Sequence, residues 1–193
     1  RVATLPGLLT RMATGELTEF ARVRAHQFHP WCMFLTQLAA IALYRAGESN
    51  PGLSEEAWRD RLLALTNGER EAWCLVIGDL QRPAFFQPPV PEGSISDWSE
   101  SMSPDDIDVL VTAKNHDVKT ELIRGTDLES WAYALVTLQT MQGFGGSGHY
   151  PVARMKGGYG SRPRVAVAPN QSIQARFQHD IAALLSSWPD VLA

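Results

Sequence analysis

The sequence predicts an α+β fold, a helix-rich mixed domain with a few short strands. Apolar residues recur at helical spacing in several long segments, whereas the apolar runs at residues 73–77 and 165–168 have the length of short strands. Hydrophobic side chains make up 45% of the 193 residues, which is enough to bury a core. We therefore expect a single lobe spanning residues 1–193.

Start and stop residues delimit the predicted helices. A short helix is expected near residue 5, followed by a loop that reaches residue 20. Proline suits a first helical position, serine and aspartate cap helix starts, and glycine ends helices. On these signals the later helices begin at Pro30, Ser54 and Asp127 and end at Gly47, Asn67-Gly68 and Gly143, and a final helix covers residues 173–188.

The segments between these helices carry turn signals. The proline-rich run at residues 82–91 cannot form regular structure, and we expect Phe85 and Phe86 to pack from an extended arm. A capped turn is predicted directly before residues 107–112, which suit a helix or a strand equally. Trp98 lies among serines and acidic residues, so we expect it to be exposed.

The most distinctive segment is a glycine-rich loop at residues 143–163. It holds seven of the fifteen glycines and the cations Arg154, Lys156 and Arg162, with Arg164 directly after, but no carboxylate. Glycine lets the backbone take positive φ and approach a ligand closely, so the pattern indicates main-chain amides presented to a polyanion.

The charge distribution agrees with a polyanion-binding loop. Residues 1–129 carry nineteen acidic and twelve basic side chains, a balance of -7, whereas residues 130–193 carry five basic and two acidic ones, a balance of +3. No acidic residue occurs at residues 130–179. Five cations are too few for an independent high-affinity DNA-binding protein, so we expect any nucleic acid to be contacted together with partner subunits.

Two nucleotide-binding motifs are excluded by their context. Gly143, Gly145 and Gly148 satisfy G-x-G-x-x-G, but a dinucleotide site needs a strand before the glycines and a helix after them. Here a predicted helix precedes the glycines, and a proline-containing segment follows. A P-loop is also absent, because no Gly-Lys-Ser/Thr ends the run.

Other candidate sites favour structural roles. His26, His29 and Cys32 have three-residue spacing, but no fourth metal ligand is evident and His29 is placed to cap the helix predicted to begin at residue 30. His116 and the adjacent Asp117 could form half of a catalytic pair, but the sequence shows no evident nucleophile, so a polar loop is favoured. We expect no metal, no cofactor and no catalytic residue. Two isolated cysteines and the lack of a predicted signal peptide or membrane span indicate a cytoplasmic protein.

Several motifs together resemble those of a known family. The chain resembles the CasA-type large subunit of the type I-E CRISPR surveillance complex, Cascade, over nearly all of its length. The motifs are Gln27-x-x-Pro30-Trp31, Arg82-Pro83-x-Phe85-Phe86-Gln87, Lys114-Asn115-His116-Asp117, Leu138-Gln139-Thr140-Met141, Gly143-Phe144-Gly145-Gly146, and Gly157-Gly158 before Ser161-Arg162-Pro163.

The resemblance implies a non-enzymatic subunit that inspects the protospacer-adjacent motif (PAM) of duplex DNA. It also implies contacts with the other Cascade subunits, with the CRISPR guide RNA and with the helicase-nuclease that destroys the target. The implied residues are Gly143, Phe144, Gly145, Gly146 and Ser147 at the PAM duplex, Arg154, Lys156, Arg162 and Arg164 at nearby phosphates, and Thr112, Lys114 and Asn115 at the guide RNA.

The chain also departs from the family pattern. Family members run to more than twice this length, so we expect the C-terminal helical bundle and the opening β-rich segment of the family to be absent here. Two other functions remain as alternatives. One is a nucleotide-binding enzyme that uses the glycine loop, and the other is a purely structural interaction module that depends on Phe85 and Phe86.

Overall fold

A computed structural model describes residues 4–108, 127–141 and 172–191 of the chain. They form five α-helices and two short 3₁₀ turns. The helices are α1 (Leu5–Thr14), α2 (Ala25–Ala46), α3 (Glu55–Leu65), α4 (Leu128–Met141) and α5 (Ile173–Val191), and the 3₁₀ turns are Glu71–Trp73 and Pro104–Asp106.

The α+β prediction is wrong, because the described residues contain no β-strand and are mostly helical. The run at residues 73–77 begins at the end of a 3₁₀ turn and continues as irregular chain. The backbone amide of Phe85 donates to the carbonyl of Cys74 at 2.8 Å, and the Gln87 side chain donates to the carbonyl of Leu75 at 2.8 Å. The carbonyls of Cys74 and Leu75, which would pair with a neighbouring strand, are therefore bonded by the predicted arm instead. The second predicted strand, residues 165–168, lies outside the described residues.

The chain divides into two compact units. The first comprises Arg1–Ala21, Cys32–Glu69 and Val165–Ala193. In this unit α1 packs against α3 and α5 around a buried apolar core that includes Leu9, Met12, Leu35, Leu43, Trp58, Phe177 and Ile181. The side-chain amides of Gln174 and Gln178 on α5 both donate to the carbonyl of Ala13, at 2.9 and 3.0 Å.

Local sequence signals set the helix ends of this first unit. The Ser54 hydroxyl accepts a hydrogen bond from the amide of Ala57 at 3.2 Å and caps α3, as predicted. At the end of α2, Gly47 takes a left-handed φ of 69°, and the amide of Glu48 reaches back to the carbonyl of Leu43 at 2.9 Å. The amide of Gly47 also donates to the carbonyl of Tyr44 at 3.0 Å, so two of the last carbonyls of the helix are satisfied.

The second unit comprises Arg22–Trp31 and Arg70–Arg164. Its described part contains the first turns of α2, both 3₁₀ turns, the arm at residues 82–91 and α4. The arm is not fully extended, because Ala84 and Gln87 exchange two backbone hydrogen bonds of 3.0 Å around a tight turn. Phe85 at this turn is buried, as predicted.

The predicted start of α2 is wrong by five residues. Pro30 lies inside the helix and is fully buried, whereas the helix begins at Ala25. The side-chain oxygen of Gln27 accepts from the amide of Arg24 at 3.2 Å, so a glutamine in the third helical position caps the start. His29 therefore does not cap this helix. Among the described helices, none combines the length and the apolar character needed to cross a membrane.

Candidate functional site

All of the predicted nucleic-acid-binding residues lie outside the described residues. The described segments stop shortly before each predicted loop in the sequence. One of them ends at Asp108, and another ends with α4 at Met141. The predicted residues concerned are Gly143, Phe144, Gly145, Gly146, Ser147, Arg154, Lys156, Arg162, Arg164, Thr112, Lys114 and Asn115.

Helix α4 begins at an ordered cap. The Asp127 carboxylate accepts from the backbone amide of Ser130 at 2.9 Å and from its hydroxyl at 3.2 Å. Arg22 lies 3.6 Å from Asp127 and 3.8 Å from Glu129. These hydrogen bonds, with the Arg22 guanidinium nearby, lower the pKa of the Asp127 carboxyl. The negative charge is therefore retained where the positive end of the helix dipole favours it.

The second half of α4 is buried around most of its circumference. Ala134, Val136, Thr137, Leu138 and Gln139 are buried. The rings of Trp31 and Tyr133 meet edge to face, with centroids 4.9 Å apart. Burial also raises the pKa of Tyr133. The helix that leads toward Gly143 is thus fixed along its length by packing and not by its N-terminal cap alone.

A polar cluster centred on Asp108 lies in the same unit. The Asp108 side chain is 1% exposed, yet its carboxylate accepts from the Gln27 amide at 2.8 Å. The His26 Nε2 nitrogen lies 2.8 and 2.9 Å from the two carboxylate oxygens of Asp108, within hydrogen-bond distance of both. Asp108 thereby gains the hydrogen bonds that a buried carboxylate requires.

Arg24 supplies the compensating positive charge of the cluster. Its guanidinium lies 2.6 Å from the carboxylate of Asp105 and 3.5 Å from that of Asp108. Both carboxylates are buried, whereas about a third of the Arg24 side chain is exposed. The three side chains that contact these carboxylates, Arg24, His26 and Gln27, belong to the first turn of α2 or to its cap. The cluster therefore connects the start of α2 to Asp108 and to the 3₁₀ turn Pro104–Asp106.

The predicted metal candidates have other surroundings. His26 binds Asp108, and the ring of His29 packs edge to face on Phe28 at a centroid distance of 5.4 Å. Burial raises the pKa of the Cys32 thiol to about 11, with smaller opposing effects of Arg176 and Asp180. No group of three potential metal ligands occurs in the part of the chain that the structure describes.

The Asp108 cluster was missed by sequence reasoning. In the sequence, Arg24 and Asp105 look like ordinary surface charges, and Gln27 stands out only as the first residue of the motif Gln27-x-x-Pro30-Trp31. The only local signal was the spacing of Gln27 three residues after Arg24, which matches half of a capping box. Comparisons of the chain with protein-family models, with curated proteins and with solved structures find no match.

Proposed function

We propose that the chain is a non-enzymatic, cytoplasmic subunit of an RNA-guided CRISPR surveillance complex of the Cascade type, and that it inspects the PAM of duplex DNA. The observation that carries this proposal is the loop at residues 143–163, which combines seven glycines and three cations without a carboxylate. Such a composition suits close approach of backbone amides to a polyanion.

The proposed reading mechanism uses backbone amides. Gly143, Gly145 and Gly146 approach the minor groove, where a side chain would hold the backbone away from the base edges. The minor groove distinguishes base pairs poorly, so this contact gives tolerant recognition. Nearby phosphates are neutralised in this proposal by four cations of the same segment, Arg154, Lys156, Arg162 and Arg164. These contacts add affinity but carry no information about the base sequence.

The described residues support this proposal by the way they hold the chain before each loop. Helix α4 is capped by Asp127, is buried in its second half and ends at Met141, two residues before Gly143 in the sequence. Asp108 is held by the first turn of α2 and precedes Thr112 by four positions. Anchors of this kind reduce the conformational entropy that a loop loses on binding. Thr112, Lys114 and Asn115 are the residues proposed to contact the guide RNA.

Target binding by the reconstituted complex tests the proposal. Duplexes with a randomised three-base flank are bound to complexes that contain the wild-type chain, Gly146→Asp or Gly78→Asp. Gly78 is the matched control, because it is exposed and a Cβ there meets no atom within 4 Å. We expect all three complexes to assemble with guide RNA, and only Gly146→Asp to weaken the flank preference.

Three results contradict the proposal. If the wild-type complex binds every flank alike, the chain does not read a PAM. If Gly146→Asp and Gly78→Asp bind with the same flank preference as wild type, the glycine loop is not the reading element. Failure of the wild-type chain to join the guide RNA and the other subunits would remove the family assignment itself.

A further inference from the structure

An open cavity of about 720 Å³ lies in the second unit, between the arm, residues 95–99 and α4. Its walls are mainly apolar and include Ile77, Leu80, Phe86, Leu135 and Leu138. Cavities of several hundred Å³ with apolar walls are typical of binding sites.

The cavity is lined by a strained residue. Phe86 has a left-handed φ of 55° in the turn closed by Ala84 and Gln87. Glycine or asparagine normally occupies such a position, and a bulky side chain costs about 1–2 kcal/mol there. Residues held in such conformations cluster at functional sites. The turn keeps this conformation while the Phe86 side chain lines the cavity.

Large apolar side chains at the edge of the cavity are left in water. Trp98 is 60% exposed and Ile95 is 45% exposed, and both line the cavity. The twelve residues 91–102 are all exposed, so these two side chains are not part of the core of the unit. An occupant of the cavity would remove apolar area of both residues from water, which favours binding.

The charge near the cavity specifies the occupant. Between Arg82 and Lys114 the sequence contains six acidic residues and no basic one. Four of these acids, Glu92, Asp97, Glu100 and Asp106, are exposed. Asp97 lines the cavity, and so does Arg82, whose guanidinium is paired with Glu71 at 2.6 Å. An acidic surface repels the phosphates of nucleic acids and of anionic membranes and attracts a cationic partner.

We propose that this cavity binds a polypeptide segment of a partner protein that inserts one aromatic or large aliphatic side chain and carries lysine or arginine on both sides of it. The inserted side chain contacts Phe86 and covers Trp98, while the flanking cations face Asp97 and its acidic neighbours. A single buried anchor with charged neighbours is a common arrangement at protein interfaces. This site is separate from the proposed PAM-reading loop and does not depend on its function.

The full chain is titrated with fluorescein-labelled peptides, and binding is followed by fluorescence anisotropy. The first peptide is Lys-Lys-Trp-Leu-Lys-Lys, the second replaces its lysines by glutamates, and the third replaces Trp-Leu by Gly-Gly. We expect only the first peptide to bind, with an affinity that falls as salt is raised. Equal binding of either control peptide, or no binding of the first peptide, would overturn the proposal.

Variants of the chain locate the site. Ala84 lines the cavity, so Ala84→Leu should fill part of it and weaken binding about tenfold. Asp97→Lys should weaken binding about threefold or more, because it reverses one charge at the cavity. Asp97 is exposed, so this variant keeps the test valid even if Ala84→Leu unfolds.

Two matched controls complete the experiment. Glu19→Lys makes the same charge change at an exposed residue of the first unit, and Val76→Ala trims an exposed apolar side chain that does not line the cavity. Neither should change peptide affinity. If Glu19→Lys weakens binding as much as Asp97→Lys, the attraction is only to net charge and the site is wrong.

Discussion

The side-chain amide of Gln27 donates a hydrogen bond to the carboxylate of Asp108 at 2.8 Å, although the two residues lie 81 positions apart. The same glutamine uses its oxygen to accept from the amide of Arg24 at 3.2 Å. One side chain therefore both starts α2 and fixes a buried carboxylate. Its amide group is therefore hydrogen-bonded through both its nitrogen and its oxygen.

Removing the Asp108 carboxylate should destabilise the second unit. Asp108→Ala leaves the donors from Gln27 and His26 without this acceptor, and we expect the free energy of unfolding to fall by about 3 kcal/mol. Urea unfolding measures the change. Glu100→Ala, which removes an exposed acid of the same unit, should change the value by about 0.5 kcal/mol or less. Equal effects of the two variants would show that the cluster has no stabilising role.

Comparison of Gly47 with Gly78 isolates the cost of backbone strain, because a side chain at either position meets no neighbouring atom. A Cβ at Gly47 or at Gly78 meets no atom within 4 Å, but only Gly47 has a positive φ, of 69°. Gly47→Ala should therefore lower the free energy of unfolding by about 1 kcal/mol, whereas Gly78→Ala should leave it nearly unchanged. Urea unfolding of both variants tests this. A larger loss for Gly78→Ala would contradict the assignment of the left-handed helix end.

Acid should loosen the start of α4. The pKa of Asp127 is lowered in the folded chain, first by the hydrogen bond from the Ser130 amide. The folded state thus favours the ionised form, so the stabilisation is present above the pKa of the unfolded chain, about 4, and is lost as the pH falls through the lower folded value. Amide hydrogen exchange at Ser130 should accelerate at acidic pH relative to neighbouring helical amides.

The variant Asp127→Asn provides the control for this pH dependence. Asparagine retains a side-chain oxygen that can cap the helix, but it does not titrate in this range. Exchange at Ser130 in this variant should lose the specific acidic transition after correction for the intrinsic exchange rate. A transition of the same size in both proteins would assign it to another group.

The two cysteines should differ strongly in reactivity. Burial raises the pKa of Cys32 from 9.0 to about 11, whereas Cys74 is exposed. The higher pKa lowers the thiolate fraction of Cys32 at neutral pH about 100-fold. Labelling of Cys74→Ser with a thiol reagent should therefore be slow until the chain unfolds, and labelling of Cys32→Ser should be fast. Fast labelling of native Cys74→Ser would contradict the burial of Cys32.

The same thiol should make stability fall in alkaline solution. Because the folded pKa of Cys32 is raised, the protonated form is favoured in the folded chain, and its stabilisation is complete below the unfolded value of 9.0. It is lost as the pH rises from 9.0 to about 11. Urea midpoints measured over this window should fall more for the wild type than for Cys32→Ala.

Local chemistry explains which parts of the fold could be predicted. Ser54 and Gly47 act on amides and carbonyls within five residues, so their sequence positions were sufficient to place the ends of α3 and α2. The start of α2 could not be placed, because its cap residue is Arg24 and the glutamine that caps it is also held by Asp108. Long-range contacts of this kind leave no periodic signal.

The strand prediction failed for a related reason. A short apolar run after Trp73 fits a strand by composition, but its carbonyls are bonded by Phe85 and Gln87 of the arm. The cavity was equally hidden, since its walls come from three separate segments of the chain. The glycine-loop assignments remain predictions, because that loop lies outside the described residues.

The paired hydrogen bonds from Gln174 and Gln178 to Ala13 have a consequence for the order of events during synthesis. A ribosome makes α5 more than 150 residues after α1. Until α5 emerges, Ala13 lacks both donors, and Phe177 and Ile181 are missing from the core of the first unit. The described elements of the second unit are all translated before α5, so they can fold while the first unit is still incomplete.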